Sequence, residues 1–357
     1  MLEEVERWLS SRSWSAADRP SLDQLLAAKR AGGNSVSVVL PALNEEATVG
    51  AIVAAIRRDL MLAAPLVDEL VVLDSGSTDR TAAVAGAAGA RVVHRDSLLP
   101  RIPAVPGKGE VLWRSLLATS GDIVCFVDAD LRDFSSAFVS GIVGPLLTHP
   151  ETQLVKAMYD RPLYPLDSGS PPENGAGAGV DGAGAVASTN GAAAAAASDS
   201  AVGGIGPIGQ GGRVTELVAR PLLNLHWPQL AGFVQPLGGE YAARRALLER
   251  LPFPVGYGVE LGLLVDALHT VGLDALAQVD VGVRKHRHQD GQALGRMAAA
   301  IYRTAQLRLT RGHLIRPRLT QFARGADGGF EPRTHTVDTE ERPPMIEIQE
   351  YAERWAA

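Results

Sequence analysis

A mostly parallel α/β sheet, doubly wound with helices on both faces, is the fold class this sequence predicts. Two observations carry it. Short apolar runs, "VSVVL" (36–40), "DELVVLD" (68–74) and "DIVCFVDAD" (122–130), read as buried strands and alternate with stretches of helical spacing. Each run gives way at its C-terminal end to a polar cluster, which is where open α/β sheets bind ligands. With 357 residues, 46% of them hydrophobic, the chain can bury one large core, or a core with a smaller lobe.

The elements follow in order. Residues 1–35 read as a helical arm, with Ser21 capping "LDQLLAAKR" and "AGG" ending it. Residues 36–166 read as the main α/β unit. Its first strand stops at Pro41, and "NEEATVGAIVAAIRRDL" follows with acids in its first turn, as the helix dipole prefers. "STDRTAAVAGAAGA" and "GEVLWRSLLATS" are further helices, and "RVVHRD" is a strand between them. Residues 167–210 are rich in Gly, Ala and Ser and read as a flexible insertion, because they cannot bury enough surface to offset chain entropy. In 211–295 we expect helices at "RVTELVARPLLNLHWPQL", "YAARRALLERLPF" and "VELGLLVDALHTVG", then a strand at "LAQVDVGVRKH". Residues 296–357 hold the rest of a helix, "ALGRMAAAIYRTAQLRL", and a polar, Pro-containing tail.

Composition excludes several classes. A net charge of −6 makes general nucleic-acid binding a poor fit. The single cysteine, Cys125, sits in an apolar run, so disulfides do not staple the chain and a reducing cytoplasm is expected. The charged N-terminus lacks a signal-peptide pattern, and no run of about 18 apolar residues predicts a membrane span.

Asp128 and Asp130 end an apolar strand, and period-two alternation would put both carboxylates on one face. They either hold a hard divalent cation such as Mg²⁺ or Mn²⁺, or cap the next helix. "DSGSTDRT" offers a Gly turn with hydroxyls and serves either a ligand or a well-made strand-to-helix turn. Lys108, between Gly107 and Gly109, is a cation on a bendable loop, suited to diphosphate or simply solvated. Arg213 and Thr215 stand where a glycine-rich segment enters a helix, either an anion site or an ordinary helix start. "RKHRH" after a strand supplies cations and imidazoles, or a basic surface patch.

Taken together, "VSVVLPALNEEATVG", "DSGSTDRT" and the D-x-D pair resemble nucleotide-sugar glycosyltransferases of GT-A fold. With "VPGKGEVLWRSL", "GGRVTELVARPLL", "QPLGGEYAARR", "PFPVGYGVELGLLVD" and "QVDVGVRKHRH", the chain resembles the glucosyl-3-phosphoglycerate synthases of actinobacteria over about 36–290. That resemblance implies a retaining, homodimeric enzyme moving glucose from UDP-glucose, or GDP-glucose, to the 2-hydroxyl of 3-phosphoglycerate with Mg²⁺. It places Pro41, Leu43, Glu45 and Ser75 on the uridine, Lys108 near the diphosphate, and Asp128 on ribose or glucose. Asp130 and His286 would bind metal, and Tyr257 and Glu260 the glucose. Gly212, Arg213 and Thr215 would take the acceptor phosphate with Arg284 and His288 nearby, and Leu237 would lie beside the anomeric carbon. The family carries Asn at the position of His288 and a shorter loop in place of the insertion. A His ligand hints at Mn²⁺ tolerance. Glu240 is either a nucleophile or a structural acid; we expect a front-face route without an enzyme nucleophile. The rival expectations are a mannosyl-3-phosphoglycerate synthase, a polyprenyl-phosphate glycosyltransferase, or a nucleotide-sugar-binding module without turnover.

Overall fold

The structure, a computed structural model, describes residues 2–15, 18–160, 212–284, 291–309, 318–324, 330–336 and 340–355. The insertion expected at 167–210, and His286 and His288, lie outside them. Among the described residues no helix is long and apolar enough to cross a membrane.

The chain runs α1 (Glu3–Arg12), β1 (Ser13–Trp14), α2 (Leu22–Gly32), β2 (Val36–Ala42), α3 (Val49–Ile56), β3 (Glu69–Asp74), α4 (Thr81–Ala88) and β4 (Arg91–His94). Then come α5 (Lys108–Ala118), β5 (Ile123–Phe126), α6 (Ala137–Thr148), β6 (Leu154–Asp160), α7 (Arg220–His226), β7 (Tyr241–Arg244), α8 (Arg245–Leu248) and β8 (Phe253–Pro254). The last are α9 (Val259–Val271), β9 (Leu276–Val283), α10 (Gly291–Leu309), β10 (Arg318–Arg324), β11 (Phe330–Thr336), β12 (Glu341–Arg342) and α11 (Gln349–Trp355). Eight strands form one sheet in the order β1-β9-β6-β7-β5-β2-β3-β4. Only β7 runs antiparallel to both neighbours, so the sheet is mostly parallel, as expected.

Both faces of this sheet are covered, which is why its strands read as unbroken apolar runs. Val39, Val124 and Phe126 enter one core cluster, with α5, α9 and α11. Val38, Leu40, Ile123 and Cys125 enter the other, with α2, α3 and α6. Cys125 is buried, and burial raises its thiol far above the range of a reactive cysteine.

Three expectations change. The segment expected as a helix from Tyr241 opens as strand β7, because it fills the slot between β5 and β6 and pairs with both. Strand β6 and helix α6 were not anticipated; Lys156 interrupts the apolar run that would have announced β6. The region read as a polar tail contains the β10–β11 hairpin, and α11 buries Tyr351 against the core. The N-terminal arm is helical, and Ser21 and Gln24 form a capping box at α2. It is also built in: Trp8 is buried and donates to the Leu276 carbonyl at 2.7 Å, and β1 pairs with β9.

Candidate active site

The loops after β2 and β3 are laced into one floor. Asn44 takes a left-handed φ of 58°. Its N–H donates to Ser77 Oγ at 3.0 Å, and its side-chain oxygen accepts from the Thr78 N–H at 2.8 Å. The Glu45 N–H donates to Thr81 Oγ1 at 2.8 Å, and the Ser75 N–H to the Ala42 carbonyl at 2.9 Å. Buried Asp74 accepts from the Gly76 and Ser77 N–H groups while Gly76 turns at φ 97°. Pro41, Leu43, Glu45 and Ser75 are therefore neighbours at one strand edge, and Leu43 stays 54% exposed there. Asn44 was missed by sequence reasoning, although an Asn in a strand-ending loop is a known left-handed signal.

Lys108 is not on a bendable loop. It is the first residue of α5, and the flanking glycines serve close backbone approach. Gly107 has φ 143°, and a Cβ on Gly109 would collide with the Pro254 carbonyl. The Val255 carbonyl accepts the Gly109 N–H at 2.7 Å, fixing the helix start. Lys108 Nζ is thereby held between Asp128 Oδ1 at 2.6 Å and Glu260 Oε1 at 2.9 Å. Burial works to lower its pKa, but the two carboxylates outweigh burial and hold the ammonium well above its ordinary value.

Strand β5 ends at Phe126, so Asp130 lies in a turn and strand alternation is not what unites it with Asp128. They share a cation instead. Arg284 Nη2 donates to Asp128 Oδ2 at 2.7 Å and lies 3.4 Å from Asp130 Oδ1. Thr48 Oγ1 donates to the Ala129 carbonyl at 2.6 Å and fastens the turn. Arg284 Nε donates to Glu240 Oε1 at 2.8 Å, and Tyr159 donates to Glu240 Oε2 at 2.9 Å. Both oxygens of Glu240 are thus engaged and the residue is buried, which makes it a structural acid.

Glu260 is in the first turn of α9, but Tyr257 precedes the Gly258 N-cap, so the two do not share a helix face. Tyr257 is half exposed. Gly212, at φ 90°, precedes Arg213, and Thr215, itself buried, begins a π-helical turn that continues into α7. The Gly212 carbonyl accepts the Glu216 N–H at 3.0 Å. Leu237, expected from the family resemblance beside the anomeric carbon, lies in the 235–239 turn, which the structure brings against the Lys108–Asp128 pair: a Cβ on Gly239 would collide with Lys108 Nζ and the Asp128 carboxylate. Lys156, under that turn, was missed; a Lys inside "LVKAM" was the available signal.

The charges do not cancel. Asp128, Asp130, Glu240 and Glu260 face Lys108, Arg284 and Lys156. Burial and the neighbouring Asp128 raise the pKa of Asp130 above its ordinary value, despite Arg284. A hard oxygen donor short of positive charge fits a divalent cation. Among the described residues no group of three His, Cys, Asp or Glu could hold a metal. The ligand expected beside Asp130, His286, is outside them.

A family model, glycosyl transferase family 2, matches residues 37–163. The glucosyl-3-phosphoglycerate synthase of Mycolicibacterium smegmatis is 47% identical over 347 residues, covering 96% of this chain and 98% of that one. This chain belongs to the glucosyl-3-phosphoglycerate synthase family. Its sheet is that of the family's GT-A architecture. The Mycobacterium tuberculosis member solved with Mn²⁺, UDP and phosphoglyceric acid superposes with a TM-score of 0.74 at 44% identity, covering 93% of this chain and 97% of that chain. Another structure of that member, with Mg²⁺ and UDP, gives a TM-score of 0.72 at 43% identity, covering 94% and 98%.

Proposed function

We propose that this chain transfers glucose from UDP-glucose to the 2-hydroxyl of 3-phosphoglycerate, with retention and with Mg²⁺ or Mn²⁺. The observation that carries this reading is Lys108, clamped between Asp128 and Glu260 at the sheet edge, beside an Asp130 short of positive charge. The ligands of the Mycobacterium tuberculosis relative, UDP, phosphoglyceric acid and a divalent ion, have the chemistry such an edge would take. In this reading Pro41, Leu43, Glu45 and Ser75 receive the uridine, and Tyr257 and Glu260 the glucose. Gly212, Arg213 and Thr215 bind the acceptor phosphate, with Arg284 and His288 as further candidates. Asp130 with His286 would hold the cation, which when bound offsets charge growing on the departing diphosphate.

Lys108 provides the same stabilisation from the protein's side, preorganised by its two carboxylates. The bond from the anomeric carbon to the phosphate oxygen breaks as the bond to the acceptor oxygen forms. The acceptor's hydroxyl proton passes to the departing phosphate oxygen. Glu240, with both oxygens engaged, is not available as a nucleophile, which supports a front-face route. We also assign the enzyme to the cytoplasm as a homodimer; light scattering of the purified chain tests the second point. The reaction is tested by supplying UDP-glucose, 3-phosphoglycerate and Mg²⁺ and following UDP release, with NMR of the product. A β-linkage, or no turnover with any phosphorylated three-carbon acid, overturns the proposal.

A further inference from the structure

Lys156 projects from the middle of β6 into a mostly apolar space lined by Leu154, Tyr241, Leu263 and Leu264, with Glu260 also on its wall. It is 2% exposed. Its ammonium lies 4.9 Å from the Tyr241 ring centroid and makes no ion pair among the described residues. Its hydrogen bond goes to a backbone carbonyl, that of Gly238, at 2.7 Å. Burial pulls its pKa down to about 8, against the pull of the nearby carboxylates. A cation kept in the core at that cost, where an apolar chain of similar length would pack, needs a task.

The task is visible in what Gly238 belongs to. The 235–239 turn is tied to β6 at both ends. Gln235 Nε2 donates to the Tyr159 carbonyl at 3.1 Å, and the Ala157 N–H donates to the Glu240 carbonyl at 3.0 Å. Between those ties, Lys156 holds the carbonyl at the turn's centre. The next residue, Gly239, abuts Lys108 Nζ and the Asp128 carboxylate so closely that a Cβ there would force that pair to shift. A small displacement of the turn would therefore press on that pair or retreat from it.

We infer that Lys156 is a positioning residue for glucosyl transfer: through the Gly238 carbonyl it fixes the Leu237–Gly239 backbone against the Lys108–Asp128 pair. The inference rests on the transferase reading above, but part of its test does not. Lys156→Met keeps length and apolar contact and removes the N–H donors. Its kcat with UDP-glucose and 3-phosphoglycerate is expected to fall about 10- to 100-fold, the scale of one lost charge-assisted hydrogen bond. Both KM values and UDP affinity should stay within about threefold, since the turn acts on the reacting centre more than on binding. Amide hydrogen exchange at residues 237–240 should quicken about tenfold or more, with β2 amides unchanged.

Gly238→Ala moves the turn from the other side with Lys156 intact, because its Cβ would lie 2.9 Å from the Tyr159 hydroxyl; it should give the same signature. That variant decides the matter if Lys156→Met does not fold. A kcat within about twofold of the parent, or turn amides exchanging at the parent rate, would overturn the inference. So would loss of UDP affinity in step with rate, which would make Lys156 a donor-site charge. A parent enzyme inactive on this substrate pair sinks the transferase reading instead, and the exchange measurement still decides the role of Lys156.

Discussion

Asp130 combines partial burial with a like charge beside it, and both raise its carboxyl while Arg284 opposes them. Under the reading proposed above, removing it takes away a cation ligand without leaving a buried charge unpaired. Asp130→Ala is thus expected to lower kcat on the order of 100- to 1000-fold with little change in Tm. Titrating activity with Mg²⁺ and with Mn²⁺ checks this; an unchanged metal requirement would remove Asp130 from the cation site. Arg213 makes a different prediction. A guanidinium binds phosphate through two parallel hydrogen bonds, and Lys through a point charge. Arg213→Lys should lower acceptor kcat/KM by about one to two decades and leave the UDP-glucose KM almost unchanged. Equal behaviour toward both substrates would make Arg213 only the start of a helix. Lys156 predicts a pH dependence. Its folded pKa of about 8 lies below its ordinary 10.5, so between these values the unfolded chain binds the extra proton. Its contribution to stability must therefore rise with pH across that window. The urea stability of the parent minus that of Lys156→Met should increase between about pH 8 and 10; a flat difference would mean the ammonium is not desolvated.

At the scale of elements, the start of α5 depends on how close β8 can come. The Val255 carbonyl accepts the N–H groups of Gly109 and Glu110, at 2.7 and 3.3 Å, so the helix is capped by the residue after β8, remote in sequence. Any side chain at position 109 would strike the Pro254 carbonyl. Gly109→Ala should cost about 1–3 kcal/mol and shift Lys108 away from Asp128 and Glu260, lowering both Tm and kcat. Gly256→Ala, whose Cβ meets nothing within 4 Å, is the matched control for Tm. Equal Tm values for the two would show that α5 accommodates the methyl. The sequence showed the GKG motif but assigned its glycines to looseness. Their reason is contact with residues about 145 positions later, which no local pattern reports.

For the whole molecule, the described segments near both ends, α1 and α11, pack into the core. Arg342 Nε donates to Glu110 at 2.5 Å, and Arg114 Nε donates to the same carboxylate at 2.6 Å, with Glu110 fully buried. Two guanidinium groups lie over Trp113, Arg114 at 5.9 Å and Arg342 at 5.4 Å from its centroid. Met345 and Tyr351 complete the cluster. Ending the chain after Glu340 removes Arg342 from a buried carboxylate and uncovers α5, the helix that carries Lys108. That truncation should unfold at a clearly lower temperature or fail to stay soluble, and Tyr351→Ala should cost about 3–5 kcal/mol in urea unfolding. A truncated chain with the parent's Tm would show the C-terminal segment to be a passenger.

The sequence by itself determined the order of strands and helices from β2 through β5 and the polar clusters at their ends, which are written in local periodicity. Strand β1 was not anticipated, and Glu260 was named through the family resemblance. Only the tertiary structure decided that Tyr241–Arg244 is a strand, that Asp130 meets Asp128 through Arg284 and that Glu240 is fully engaged. It also decided that Lys156 sits beneath the 235–239 turn. Each of these depends on partners tens to hundreds of residues away, and burial sets both the cost of a charge and the need for its partner, so neither can be read before the chain has folded.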